Sequence, residues 1–96
     1  MAALKRQMVR AHVRVYGLVQ GVFYRKLAKI EADKSGIGGW ARNDADGSVE
    51  IMASGQKKVL EQFVEWCKQG PPLAKVEKVE VDWVDGGENF SGFDII

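Results

Sequence analysis

From Val9 to Tyr16 the chain alternates, with Val9, Ala11, Val13 and Val15 on one side and Arg10, His12, Arg14 and Tyr16 on the other. A period of two marks a half-buried strand with one polar face. Gly17 cuts the strand short and Gly21 closes the interruption. From Phe23 the apolar spacing becomes helical to about Ser35: Phe23, Leu27, Ile30 and the stem of Lys34 share a stripe, with Lys26, Lys29 and Asp33 outside it. Glycine permits positive φ and a close approach of backbone to a ligand. A loop running into a helix start also points several unpaired N–H groups one way, which suits an anion. Arg25 falls in the first helical turn and adds a planar, permanently charged fork matched to phosphate oxygens. Taken alone, these residues describe either a phosphate or carboxylate cradle or an ordinary solvated turn.

The remaining pattern defines an architecture. Gly39 to Asp44 reads as a strand, Asp46-Gly47 as a hairpin turn, and Val49, Ile51 and Ala53 as the apolar face of the returning strand. Gly55 is expected to open a second helix, whose buried stripe is Leu60, Phe63, Val64 and Cys67 at i, i+3, i+4 and i+7. Gly70-Pro71-Pro72 stops that helix. Val79, Val81 and Trp83 alternate with Glu80 and Asp82 in a further strand. Gly86-Gly87 forms a loop, and Phe93 to Ile96 a short closing strand. The order βαββαβ plus a closing strand predicts an α+β fold, the ferredoxin-like α/β sandwich. Its antiparallel sheet of four to five strands carries two helices on one face. That fold hosts many unrelated activities, so it does not define one.

Ninety-six residues support one compact domain. Residues 8–96 are assigned to it, and residues 1–7 to a flexible extension. Met1 to Arg6 lacks the apolar stretch of a signal peptide, and no apolar run reaches the length of a membrane span. A single cysteine, Cys67, excludes an internal disulfide and a CxxC metal motif. These features favour a cytoplasmic protein, and a monomer is the default expectation. The formal net charge is only +1, but its distribution is uneven. Up to Lys26 the ionisable side chains, His12 aside, are all basic; from Glu77 onward they are mostly acidic. Most of these charges read as a solvated surface whose two ends neutralise one another, while a local positive field near the loop would favour anions. No basic aromatic stripe suggests nucleic acid. An RNA-binding sheet would need exposed aromatics on its central strands, and Tyr16 is the clear candidate on the first.

The run Gly17-x-Val19-Gln20-Gly21-Val22-x-x-Arg25 resembles a signature of the acylphosphatases. Gly39-Trp40-Ala41-Arg42-Asn43, followed by Asp46-Gly47-Ser48-Val49-Glu50, resembles that family's second signature. Gly70-Pro71-Pro72-x-Ala74-x-Val76-x-x-Val79 and the closing Phe93-x-Ile95 match as well. The blocks come in the family's order and span nearly everything from about Val9 onward.

The resemblance implies that the backbone N–H groups of Leu18, Val19, Gln20, Gly21 and Val22 bind the phosphoryl oxygens. It implies that Arg25 is the phosphate-binding arginine and Asn43 the residue that positions water. The expected reaction is hydrolysis of an acyl phosphate by direct attack of water on phosphorus, releasing carboxylate and orthophosphate. It needs no metal, no cofactor and no covalent intermediate. The expected partners are a small acyl phosphate and, as product-like ligands, phosphate or sulfate, with no nucleic acid and no membrane. An asparagine suits its role because its amide offers an acceptor and two donors on one rigid group without titrating. Positioning and charge stabilisation supply most of the catalysis in phosphoryl transfer through a loose transition state. Asp44 departs from the family, where a small hydroxyl residue often follows the asparagine, and the aromatic end of many members is missing at Ile96.

Other residues are assigned elsewhere. His12 is expected at the surface and has no second His or Cys at ligand spacing. Cys67 belongs to the core, where a thiol is inert. Ser35, Ser48, Ser54 and Ser91 show no base partner. Trp40 and Trp83 are expected to pack, and Trp66 to be partly exposed. Two alternatives stay open: a non-catalytic ferredoxin-like module that senses an anion, and an acylphosphatase-like unit of a much longer carbamoyl-handling maturation factor.

Overall fold

The computed structural model describes residues 8–86 and 89–96, so the expected extension over residues 1–7 and Gly87 of the expected loop lie outside the described residues. Seven elements follow in order: β1 (Met8–Leu18), α1 (Tyr24–Lys34), β2 (Gly38–Asn43), β3 (Val49–Gln56), α2 (Lys57–Gln69), β4 (Lys75–Asp85) and β5 (Phe93–Ile95). The sheet has five strands in the order β4-β1-β3-β2-β5. Its pairings are antiparallel except that β5 runs parallel to β2. This is the expected ferredoxin-like α+β arrangement with a short closing strand.

β1 lies inside the sheet, between β4 and β3. Its apolar set Val9, Ala11, Val13 and Val15 is buried, and Val49, Ile51 and Ala53 of β3 continue the same surface. α2 covers it with Leu60, Phe63, Val64 and Cys67, the stripe expected from spacing. Full burial of a side chain such as Leu60 or Phe63 contributes about 2–3 kcal/mol. α2 begins at Lys57 rather than at Gly55, because Gly55 still pairs with Val9 as part of β3.

α1 departs further from expectation. Its buried residues are Tyr24, Ala28 and Ala32, whereas Phe23 and Ile30 are exposed. The stripe is rotated from the bulky residues to the small ones. A helix faced with alanine can approach a sheet closely, and the Tyr24 ring fills the wider end of that contact. The Tyr24 hydroxyl donates to the backbone carbonyl of Cys67 at 2.7 Å, which ties the two helices together inside the core. Burial pushes the Tyr24 phenol far above its ordinary value, and the neighbouring Cys67 carbonyl fixes its proton. Burial also pushes the Cys67 thiol up to about 12.

The sheet face opposite the helices is not a plain solvated surface. Glu50 is buried there, and its carboxylate meets His12, Arg14 (3.4 Å) and Arg42 (2.6 Å). His12 was expected as an isolated surface residue; strand pairing instead sets its neighbour Arg14 opposite Glu50 and gives the imidazole a carboxylate partner. Burial alone would push the Glu50 carboxyl up, but hydrogen bonds from His12 and Arg42 outweigh it and hold the carboxyl below its ordinary range. The basic first strand also lies beside acidic β4, with Arg14 opposite Glu80 and His12 opposite Asp82. The two charged ends of the chain therefore neutralise one another across β1 and β4. Of the tryptophans, Trp40 is half-buried with the Arg42 guanidinium over its ring, and Trp66 stacks on Phe63. Trp83, expected to pack, is 39% exposed.

Candidate active site

The two glycines of the first turn perform different tasks. Gly17 has φ +128°, and a Cβ there would collide with the Lys75 carbonyl oxygen on β4. It lets β1 and β4 stay paired across the irregularity between Tyr16 and Gly17. Gly21 has φ +75° with nothing near the position of a Cβ, so it serves the turn itself and leaves its surroundings open. Among the described residues, no turn hydrogen bond uses the N–H of Val19, Gln20, Gly21 or Val22. These donors lie immediately ahead of the α1 N-terminus, where the helix adds its partial positive charge.

Phe23 completes the turn in the left-handed region, at φ 66° and ψ 21°. It is the one described non-glycine residue with positive φ. Such a conformation costs about 1–2 kcal/mol for an L-residue with a Cβ. Its carbonyl accepts from Leu27 N–H at 3.0 Å and starts the helix.

Val19, Gly21, Arg25 and Asn43 line one cleft of about 250 Å³. Phe23, Lys26 and Ile95 complete much of its wall, and no carboxylate is among the lining residues. Of the expected site residues, the structure thus gathers Arg25, Asn43, Val19 and Gly21. The side chains of the others are turned elsewhere: Leu18 is 54% exposed at the end of β1, Val22 is buried in the core, and Gln20 crosses to the β2–β3 hairpin. Only their backbone can serve the cleft.

The Gln20 amide donates from Nε2 to the carbonyl oxygens of Asp44 (2.8 Å) and Ser48 (2.9 Å). It thereby clamps the hairpin that follows Asn43 onto the glycine loop. Ser48 in turn bonds Asp46 through both its backbone N–H and its hydroxyl, and these two bonds hold the Asp46 carboxyl below its usual range. Asn43 itself is the last residue of β2, paired with Val49. Asp44 does not face the cleft: its carboxylate is held by Arg42 at 3.1 Å and Arg14 at 3.4 Å. Its negative charge is neutralised by these two arginines, and Asp44 is not among the residues lining the cleft. Arg25 uses one of its five donors on the Ile96 carbonyl at 3.2 Å and keeps the others available. Lys29, one helical turn further on, anchors α1 to β5 through the Phe93 carbonyl at 2.6 Å.

Sequence reasoning missed the Gln20 side chain, Phe23, Lys26 and Ile95. The Gln20 clamp had a trace in its place between two residues of the glycine turn. Ile95 had none, because its arrival depends on the parallel pairing of β5 with β2.

The geometry is a compact cleft with N–H donors free of turn hydrogen bonds, two cationic residues and an asparagine. Three comparisons bear on what it serves. Residues 11–95 match the family model described as acylphosphatase. An acylphosphatase from Pelotomaculum thermopropionicum is 48% identical over 86 residues, covering 90% of this chain and 94% of the relative. The crystal structure of acylphosphatase from Bacillus subtilis superposes with a TM-score of 0.89 at 39% identity, covering 92% of this chain and 98% of that one. Full-length HypF in its phosphate- and nucleotide-bound form also matches, with a TM-score of 0.84 and 26% identity; 94% of this chain aligns to 12% of that one. With the cleft, the clamp and the sheet order all in place, this chain belongs to the acylphosphatase family.

Proposed function

We propose that Arg25, the backbone from Leu18 to Val22 and Asn43 are the groups that perform acylphosphatase chemistry in this chain. Acylphosphatase activity is the function that family and relatives support. The observation that carries the residue roles is the shared cleft: Asn43 and Arg25 line the same 250 Å³ as Gly21. The phosphoryl group sits against the loop N–H donors and the start of α1, with the Arg25 fork on its oxygens. Asn43 holds a water in line with phosphorus. The acyl carboxylate is a good leaving group, so no strong general acid is needed. None lines the cleft. The phosphate of the substrate itself accepts the proton of the attacking water. Among the described residues no group of three or more His, Cys, Asp and Glu side chains is placed to hold a metal, and the proposed mechanism uses none.

The partner is a small acyl phosphate. Inorganic phosphate and sulfate are product-like competitors. We read the protein as a cytoplasmic monomer: its one cysteine is free and buried, which fits a reducing compartment.

The test is hydrolysis of benzoyl phosphate followed by absorbance, with a chelator present. Turnover of the acyl phosphate is expected, with phosphate monoesters left nearly untouched because their leaving groups are poor. Phosphate binding without turnover would identify an anion-sensing module instead. Loss of turnover on adding chelator would overturn the metal-free mechanism.

A further inference from the structure

The wall of the cleft carries apolar residues as well as cations. Phe23 is 63% exposed, and Ile95 beside the same cleft is 42% exposed. Nothing in the fold accounts for an aromatic residue at position 23. The backbone there is left-handed at φ 66°, a conformation that glycine or asparagine adopts more readily. The side chain makes no N-terminal cap hydrogen bond and does not join the core. Strain held at an exposed non-glycine residue is a pointer to a binding role.

We propose that Phe23 determines specificity by packing on the acyl portion of the substrate, together with Ile95 of the same cleft wall. The inference rests on the acylphosphatase reading above and adds the substrate class: acyl phosphates with an aromatic or bulky apolar acyl group are preferred to acetyl phosphate. An acyl phosphate has two unlike ends, and the cleft matches both. Gly21, Arg25 and Lys26 supply donors and positive charge for the phosphoryl end. Phe23 and Ile95 supply an apolar rim for the other. The strained turn sets the aromatic immediately before the helix that carries Arg25, so its position and that of the guanidinium are coupled through the first turn of α1.

The test compares benzoyl phosphate and acetyl phosphate by kcat/KM in the wild type, Phe23→Gly and Phe23→Tyr, together with inhibition by inorganic phosphate. Glycine suits the left-handed backbone, so this variant retains the turn. Phe23→Gly is expected to lower the benzoyl-to-acetyl ratio about tenfold, the scale of losing one aromatic contact. Phe23→Tyr should keep most of the ratio, and the phosphate inhibition constant should move far less than the ratio does. An unchanged ratio in Phe23→Gly, with turnover intact, would overturn this inference and leave the acylphosphatase reading standing. An equal fall on both substrates together with weaker phosphate inhibition would assign Phe23 to the loop backbone rather than to the acyl group. A wild type that hydrolyses neither substrate would remove the underlying reading, and the inference with it.

Discussion

The chain passes from strand to helix twice, and only the first passage opens on a cleft lined by cations among the described residues. Between β1 and α1, residues 19–23 intervene; between β3 and α2, Gln56 is followed directly by Lys57 of the helix. The helix starts differ in backbone, left-handed at Phe23 and extended at Gln56, but share other features. Neither has a side-chain cap or an acidic residue in its first turn, and each opens on two cations, Arg25-Lys26 and Lys57-Lys58. At the second junction the nearby cavity is about 110 Å³, lined by residues such as Ser35, Ile37 and Gly55, with no charged side chain among the described residues. A helix N-terminus with adjacent cations is thus not enough. The first junction differs in a loop whose N–H groups stay outside the helix, and in a hairpin clamped across from it by Gln20.

The sharpest test of that contrast is loss of function on one side only. Arg25→Ala should lower kcat/KM for benzoyl phosphate on the order of 1000-fold and weaken phosphate inhibition. Asn43→Ala should lower turnover on the order of 100-fold with phosphate affinity near that of the parent. Arg25→Lys should recover only part of the loss, because an ammonium lacks the bidentate fork. Lys57→Ala and Lys58→Ala should change kcat/KM less than about twofold, as solvated side chains remote from the cleft. A large loss from either lysine, or full turnover in Asn43→Ala, would break the comparison.

The loop can next be divided by stability. Gly17→Ala should cost about 2–4 kcal/mol in chemical denaturation, since a methyl group has no room beside the Lys75 carbonyl. Gly21→Ala meets open space and should cost about 1 kcal/mol. Equal costs would mean that the two glycines share one role.

Gln20→Ala tests the clamp. It removes both donors to the hairpin and should slow turnover about tenfold, through Asn43, with little effect on phosphate inhibition. A matched fall in phosphate affinity would place Gln20 in the cradle itself.

The smallest effect expected lies beneath the hairpin. Glu50→Gln weakens the ion pairs to His12, Arg14 and Arg42 and should lower stability by about 1 kcal/mol at pH 7. The folded-state carboxyl lies below its ordinary value of 4.5. Its contribution is therefore full above that value and is lost as the pH falls through the lower folded value. The gap between variant and wild type should narrow below about pH 4.5 in pH-dependent melts. A gap that widened on acidification would contradict the network.

Much of this was legible in the chain, and the exceptions have physical reasons. Alternation along β1 and the stripe of α2 reported their buried faces because bulky apolar residues occupy them. The α1 stripe misled because hydrophobic size favours Phe23 and Ile30, while close packing selects Ala28, Ala32 and a tyrosine whose hydroxyl partner is the distant Cys67 carbonyl. Glu50 and His12 were visible only as members of polar faces; their meeting depends on cross-strand register, which alternation does not encode. The roles proposed for Arg25 and Asn43 rest on motif resemblance, since a first-turn arginine and a strand-end asparagine are otherwise ordinary.

The place of β1 between β3 and β4 carries a kinetic consequence. The strand that launches the glycine loop pairs with β3 and β4, so it must wait for segments 49–56 and 75–85 to reach it. Pairings so distant along the chain close large loops before they yield contacts, and topologies of that kind fold slowly. The nearby α1 helix can form early, but its cradle is not fixed until the late strands arrive. Regain of acyl phosphate turnover during refolding should therefore keep pace with the slow tryptophan fluorescence change, with no active species ahead of it.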